Sequence, residues 1–306
     1  MSSVQSNSSA NVTFVRPATF FIKGFSNVPH AKYYYVFLFL VYVLTVLGNL
    51  FIMCIIYLAR RLHTAKYIAV FHLAISDLCG SSAEISYEAC LANMFFVYHF
   101  MNLQSLTLLV LAYDRLVAIC FPLRYHAIVT KTAMFLIIGV IWIFSVTYFS
   151  VLVGLVNRLS FCGSLACNDN SVNILLGKIC YSLLIFAPLI LIFISYLCIA
   201  LVLLKIPHGV DRIKSIKTCT THLMLVAIFY IPILSNNIAS IISPLHPDAR
   251  IINNSLTQTI PPMLNPIIYT LKTEEVMQSI KELYKRSKVN TTQERNMKCC
   301  RRRNLK

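Results

Sequence analysis

Charge is scarce in this chain. Asp, Glu, Lys and Arg make up 12% of its 306 residues, against roughly 25% in water-soluble proteins. Acidic residues are the rarer sign, 11 against 27 basic ones, for a net charge of +16. Glycine is also sparse, with 8 in all, and no glycine-rich phosphate loop, H-E-x-x-H or G-x-S-x-G occurs, which argues against nucleotide, zinc-protease and serine-hydrolase chemistry. His72, His99 and His222 stand far apart, without metal-ligand spacing. No internal repeat is evident, unlike the duplicated halves of many transporters. The stretch from Met1 to Arg16 is polar and lacks the apolar centre of a cleavable signal peptide, so the first apolar run is expected to act as its own insertion signal.

What the chain has instead is apolar length. It is 58% hydrophobic with a mean hydropathy of +0.71. Runs free of Asp, Glu, Lys and Arg extend over Tyr33 to Tyr57, Leu91 to Tyr113, Thr132 to Val156, Ile179 to Leu204, Leu223 to Ile242 and Ile251 to Leu271. Each reaches the ~20 residues that cross a hydrocarbon core as a helix. A seventh, Tyr67 to Ala83, is shorter and contains Asp77. Barrel strands would alternate in polarity over about ten residues, and these runs do not. The expected fold is therefore all-α, a seven-transmembrane helix bundle over residues 33–271. A segment 1–32 precedes it, and an amphipathic helix and basic tail, 272–306, follow it.

The basic residues fix an orientation. Arg16, Lys23, Lys32, Arg158, Lys178 and Arg250 fall on the side of the N-terminus, and the other Lys and Arg residues lie in the alternate loops and the tail. The positive-inside rule makes the richer side cytoplasmic and the N-terminus extracellular. The tripeptides beginning at Asn7 and Asn11 are glycosylation acceptors on that reading. Positive charge then reads as topology and attraction to anionic membrane lipids, with no nucleic acid as partner. Arg301, Arg302 and Arg303 beside Cys299 and Cys300 fit either a palmitoylated, polybasic membrane contact or a disordered basic tail.

An ionisable pair at a membrane edge is costly and tends to mark function. Asp114 and Arg115 directly follow the third run, in the segment AYDRLVAICFPLRYHAI. That segment resembles the MAYDRYVAICHPLRYxxI signature of olfactory receptors, within the rhodopsin-like G-protein-coupled receptors. Further similarity runs through Gly48-Asn49, HLAISDLC at 72–79, Trp142, Ser195-Tyr196, KSIKTCTTHL at 214–223, FYIP at 229–232 and PMLNPIIY at 262–269. The flavour is nearest to fish-type and class I members. Where the family has Tyr after the arginine, this chain has Leu116.

The resemblance implies a plasma-membrane receptor for small odorants that activates a stimulatory G protein and adenylyl cyclase. Arg115 would leave Asp114 on activation, when the sixth helix swings outward. A partly solvated ion pair of ~1 kcal/mol would yield to differential ligand binding, and Arg115→Ala would silence coupling without loss of surface expression. Asn265, Pro266 and Tyr269 resemble the seventh-helix hinge, where proline removes a backbone donor. Asp77, with Asn49 and Asn265 as neighbours, corresponds to the family's sodium-linked aspartate. Beyond a possible sodium ion there, no cofactor or metal is implied.

The family's ligand cavity lies among helices three, five, six and seven. It implies Tyr98, Met101, Asn102, Ser105, Tyr181, Leu184, Tyr230, Leu234, Asn237 and Gln258 as contacts. Val97 stands where amine receptors carry aspartate, which disfavours an amine ligand.

Two departures affect the outer side. Only twelve residues, LCGSSAEISYEA, separate Asp77 from Cys90, so the outer part of the second helix is expected to be truncated or unwound. The second outer loop, FCGSLACNDNS, lacks the family's middle cysteine. Cys90 would pair with Cys167 first and with Cys162 second, on an oxidising side. Alternatives to an odorant receptor are a non-odorant rhodopsin-like receptor, a non-functional receptor copy and, in a different class, a membrane transporter.

Overall fold

The computed structural model describes residues 31–79, 87–157, 161–162, 165–166, 171–206, 209–242 and 247–303. At some positions within these ranges, including 75–79 and 87–90, only the backbone is described.

The described chain is almost entirely helical: α1 (Ala31–Leu58), α2 (Ala65–Cys79), α3 (Tyr87–Cys120), a short α4 (Tyr125–Ile128), α5 (Lys131–Asn157), α6 (Ser171–Lys205), α7 (Val210–Ile242), α8 (Pro247–Lys272) and α9 (Glu274–Arg303). Two-residue strands, β1 (Phe161–Cys162) and β2 (Leu165–Ala166), pair antiparallel. That strand pair is the one departure from an all-α chain among the described residues.

Five helices are long and apolar enough to cross a membrane: Lys32–Leu58, Leu91–Cys120, Lys131–Val156, Gly177–Lys205 and Arg212–Ile238. Much of their apolar surface stays uncovered. Phe135, Leu136, Val140 and Ile143 on α5 are all exposed, as expected where lipid rather than water is the neighbour. The other two bundle helices differ for visible reasons. α2 has 15 residues and ends at Cys79, just before Gly80-Ser81-Ser82. α8 interleaves Asn253, Asn254, Ser255, Thr257, Gln258 and Thr259 with its apolar residues, and holds Pro261, Pro262 and Pro266.

α3 is the axis of the bundle and packs against α2, α5, α6 and α7, while α8 closes the ring between α1 and α7. The core runs through Leu62, Ala69, Leu73, Leu103, Ala112, Ile185, Ile192, Leu225 and Tyr230. Local chemistry sets the boundaries at the Arg115 end. Thr130 caps α5 by accepting the Ala133 amide N–H on Oγ1 at 3.1 Å, and Pro122 opens the turn before α4. α9 continues as a helix to Arg303.

Candidate functional site

The Asp114–Arg115 pair lies near the end of α3. An Arg115 guanidinium nitrogen (Nη2) is 2.7 Å from Asp114 Oδ2. The Tyr125 hydroxyl on α4 donates to Asp114 Oδ1, also at 2.7 Å. Burial, followed by the charge and hydrogen bond of Asp114, pushes the Tyr125 phenol upward and keeps it a donor. The sequence led to a partly solvated pair. The structure corrects this: Asp114 is fully buried, and the Arg115 side chain is 14% exposed. Removing the arginine would leave an uncompensated buried carboxylate, at a cost of about 3–5 kcal/mol. Tyr125 escaped the sequence reading because its role depends on the turn that folds α4 back beneath α3.

Arg115 faces a cavity of about 230 Å³ shared with Lys214, Lys217, Thr221, His222, Tyr269 and Glu275. The cavity is strongly basic. Glu275, at the start of α9, supplies a carboxylate, accepting from Tyr67 Oη at 2.6 Å and from Lys66 Nζ. Burial acts to raise the Glu275 carboxyl, but the Lys66 charge and the two hydrogen bonds outweigh it, so the group sits below the ordinary carboxylate range. Arg61 adds a second link to α9 through Glu282 at 3.5 Å.

His222 ties three helices together at this end. Its Nε2 contacts the Leu108 carbonyl on α3 at 3.0 Å, which makes Nε2 the donor, so Nδ1 accepts from the Tyr196 hydroxyl on α6 at 2.8 Å. The Tyr196 and His222 rings are stacked. One helix further round, Trp142 on α5 donates to His72 Nε2 on α2, and His72 Nδ1 is 2.9 Å from Thr107 Oγ1 on α3.

The hinge residues come together between α1 and α8. Asn265 and Tyr269 are buried. Pro266 packs so near Gly48 that a Cβ there would sit 3.1 Å from its ring carbons. Asn49 donates through Nδ2 to the Thr45 and Pro262 carbonyls, each at 3.0 Å. The carboxylate of Asp77 is outside the described side chains. So are Asn7, Asn11 and Cys167, together with the side chains of Cys90 and Cys162.

At the opposite end of α3 lies a larger cavity, about 600 Å³. Seven of the ten expected contacts line it: Tyr98, Met101, Asn102, Tyr181, Leu184, Asn237 and Gln258. Ser105, Tyr230 and Leu234 do not. Ser105 and Tyr230 lie one turn nearer Arg115, fully buried and bonded to each other at 2.7 Å, and Leu234 packs against the core. The wall includes Phe149, Leu152, Val153 and Val156 from α5, which the sequence reading missed because it counted from helices three, five, six and seven alone. Asn236 and Asn254, also in the wall, join α7 to α8 by an amide–amide hydrogen bond. Among the described residues Lys178 is the one charged side chain of the lining, and no carboxylate is present.

The arrangement provides a mostly apolar chamber with a few amides and phenols at one end, and a locked arginine above a basic cleft at the other. No group of three or more His, Cys, Asp or Glu that could hold a metal occurs among the described residues.

Comparison with known proteins agrees with this layout. The sequence profile of the olfactory receptor family matches residues 38–287. The chain is 31% identical to human olfactory receptor 51E2 over 309 aligned positions, covering 91% of this chain and 96% of that one. It is 30% identical to mouse olfactory receptor 1E16, covering 85% and 92% respectively, and 32% identical to human olfactory receptor 6N1, covering 88% and 96%. The chain belongs to the olfactory receptor family, and is thus a membrane-spanning G-protein-coupled receptor and not an enzyme.

Proposed function

We propose that this receptor sits in the plasma membrane with its N-terminus outside and binds a small, mostly apolar odorant in the 600 Å³ cavity. Binding shifts α7, the sixth membrane helix, away from Arg115. The opened basic cleft then receives a stimulatory G protein, and adenylyl cyclase responds. The observation that carries this reading is that one helix, α3, bears both parts. Tyr98, Met101 and Asn102 line the chamber and Arg115 the cleft, and the Ser105–Tyr230 bond joins α3 to α7 between them.

Volume and chemistry suit such a ligand. Pockets of ~300–1,000 Å³ with apolar walls and a few placed polar groups bind small molecules. The lack of a carboxylate in the described lining speaks against a cationic amine. A Cys90 disulfide to Cys167 or Cys162, glycosylation at Asn7 and Asn11, a sodium ion beside Asp77 and contact with anionic lipid belong to the same reading as proposals.

The test is odorant-panel cAMP in cells bearing an N-terminally tagged receptor, alongside Arg115→Lys and Arg115→Ala. Arg115→Lys keeps the charge beside Asp114 and should reach the surface, yet its single ammonium cannot reproduce the planar guanidinium contacts. For Arg115→Lys, normal surface staining with cAMP responses reduced at least tenfold supports the reading. Unchanged responses in both variants contradict it.

A further inference from the structure

We propose that the ligand of the larger cavity carries a hydroxyl or N–H group and donates it to Asn102 Oδ1, with an apolar body filling the remaining space. This rests on the cavity being the receptor's ligand site.

Asn102 belongs to the cavity wall and is 2% exposed. Its amide has one committed end: Nδ2 donates to Ser145 Oγ on α5 at 3.1 Å. Ser145 Oγ is in turn 2.8 Å from His99 Nδ1. The serine oxygen serves both neighbours and takes the amide N–H on a lone pair. Oδ1 is left as a buried acceptor without a donor, a costly state that a donor from outside relieves.

Three neighbouring amides already have partners. Asn237 uses Nδ2 on the Ile233 carbonyl and the Tyr181 hydroxyl, at 2.8 and 3.4 Å, and Asn236 and Asn254 bond each other. Among the buried polar atoms of the described lining, the oxygen of Asn102 is the one that still needs a proton. It is shielded behind the wall, so a slender head group reaches it more readily than a branched one. Met101, beside it in the lining, has the flexible side chain that lets such a wall give. Phe149, Leu184, Ile185 and Ile233 offer apolar surface to the rest of the molecule. A ligand with acceptors alone, such as an ether or ketone, would set lone pair against lone pair at Oδ1.

The test uses full-length receptor in lipid nanodiscs, with three series of matched chain length as probes: primary alcohols of about six to ten carbons, their methyl ethers and the corresponding methyl ketones. Binding is read by calorimetry and by the shift of the unfolding transition. Alcohols are expected to bind about tenfold more tightly than matched ethers or ketones. Asn102→Leu should level the three series while leaving apolar binding in place. Ser145 is a positioning residue: Ser145→Ala frees the amide to rotate, so the alcohol preference should shrink and ketone binding rise, a change that mere loss of packing would not produce. Equal binding of ketones or ethers to the unsubstituted receptor overturns the proposal and leaves the receptor reading standing. So does an alcohol preference that survives Asn102→Leu. If no series binds a receptor that still unfolds cooperatively, the ligand-site reading falls as well.

Discussion

Asn49 Nδ2 on α1 donates to the Pro262 carbonyl of α8 at 3.0 Å, the carbonyl whose helical partner would be the missing N–H of Pro266. The proline frees an acceptor inside the bundle, and an amide from another helix takes it. Gly48, next along α1, permits the approach, because a Cβ there would stand 3.1 Å from the Pro266 ring carbons. Asn49→Leu should therefore destabilise the receptor by about 1–3 kcal/mol by orphaning a buried carbonyl. Gly48→Ala should do so by a similar amount through overpacking. Thermal unfolding in nanodiscs measures both, and a wild-type transition in Asn49→Leu would mean that the carbonyl has another donor.

The asymmetry of the Asp114–Arg115 pair predicts opposite phenotypes for its two members. Asp114→Asn keeps the shape but releases the arginine, so ligand-independent cAMP should rise. Tyr125→Phe, which removes one of the contacts to Asp114, should raise it less. Arg115→Ala leaves the buried carboxylate uncompensated and should cut surface expression as well as signalling. Surface staining beside basal cAMP separates these outcomes, and equal basal activity in all the variants would rule out a lock.

Ser105 and Tyr230 offer a pairwise test of the link between α3 and α7. Ser105→Ala and Tyr230→Phe each remove one side of the 2.7 Å hydrogen bond. A double-mutant cycle on thermal stability should return a coupling of about 1 kcal/mol. A coupling near zero would mean that the two hydroxyls act separately.

The α9 contact should respond to acid. Glu275 has a carboxyl depressed below its ordinary range, so its contribution is fully present above the unfolded value, about 4.3, and fades as pH falls through the lower, folded one. Its neighbours across the contact are Lys66, Tyr67 and Arg115. Hydrogen exchange of α9 should quicken as pH drops through that acidic window, after correction for intrinsic rates. Glu275→Gln should quicken it at neutral pH and flatten the profile. A profile unchanged by that substitution would remove Glu275 as the anchor.

The bundle itself was legible from the sequence because lipid leaves a plain signature: long runs without charge, with basic residues gathered in alternate loops. The Asp114–Arg115 pair stood out for the same reason. What sequence did not disclose was three-dimensional. The burial of Asp114 depends on Tyr125, eleven residues later across a turn. The α5 wall of the larger cavity includes Phe149, Leu152, Val153 and Val156, indistinguishable by type from lipid-facing neighbours such as Val151. Ser105 and Tyr230 have the periodicity of cavity residues, yet they satisfy each other one turn too deep. The paired strands, two residues each, are too short to produce a period.

The central claim is that filling the larger cavity moves α7 away from Arg115. Genetically encoded spin labels at Ile213 on α7 and Leu123 before α4, both exposed, report that distance directly in nanodiscs. With an activating ligand and a stimulatory G protein, the account predicts that the distance distribution moves outward by several ångströms, and that the shift disappears when the ligand is withheld. A distribution unmoved by an odorant that demonstrably binds would contradict it.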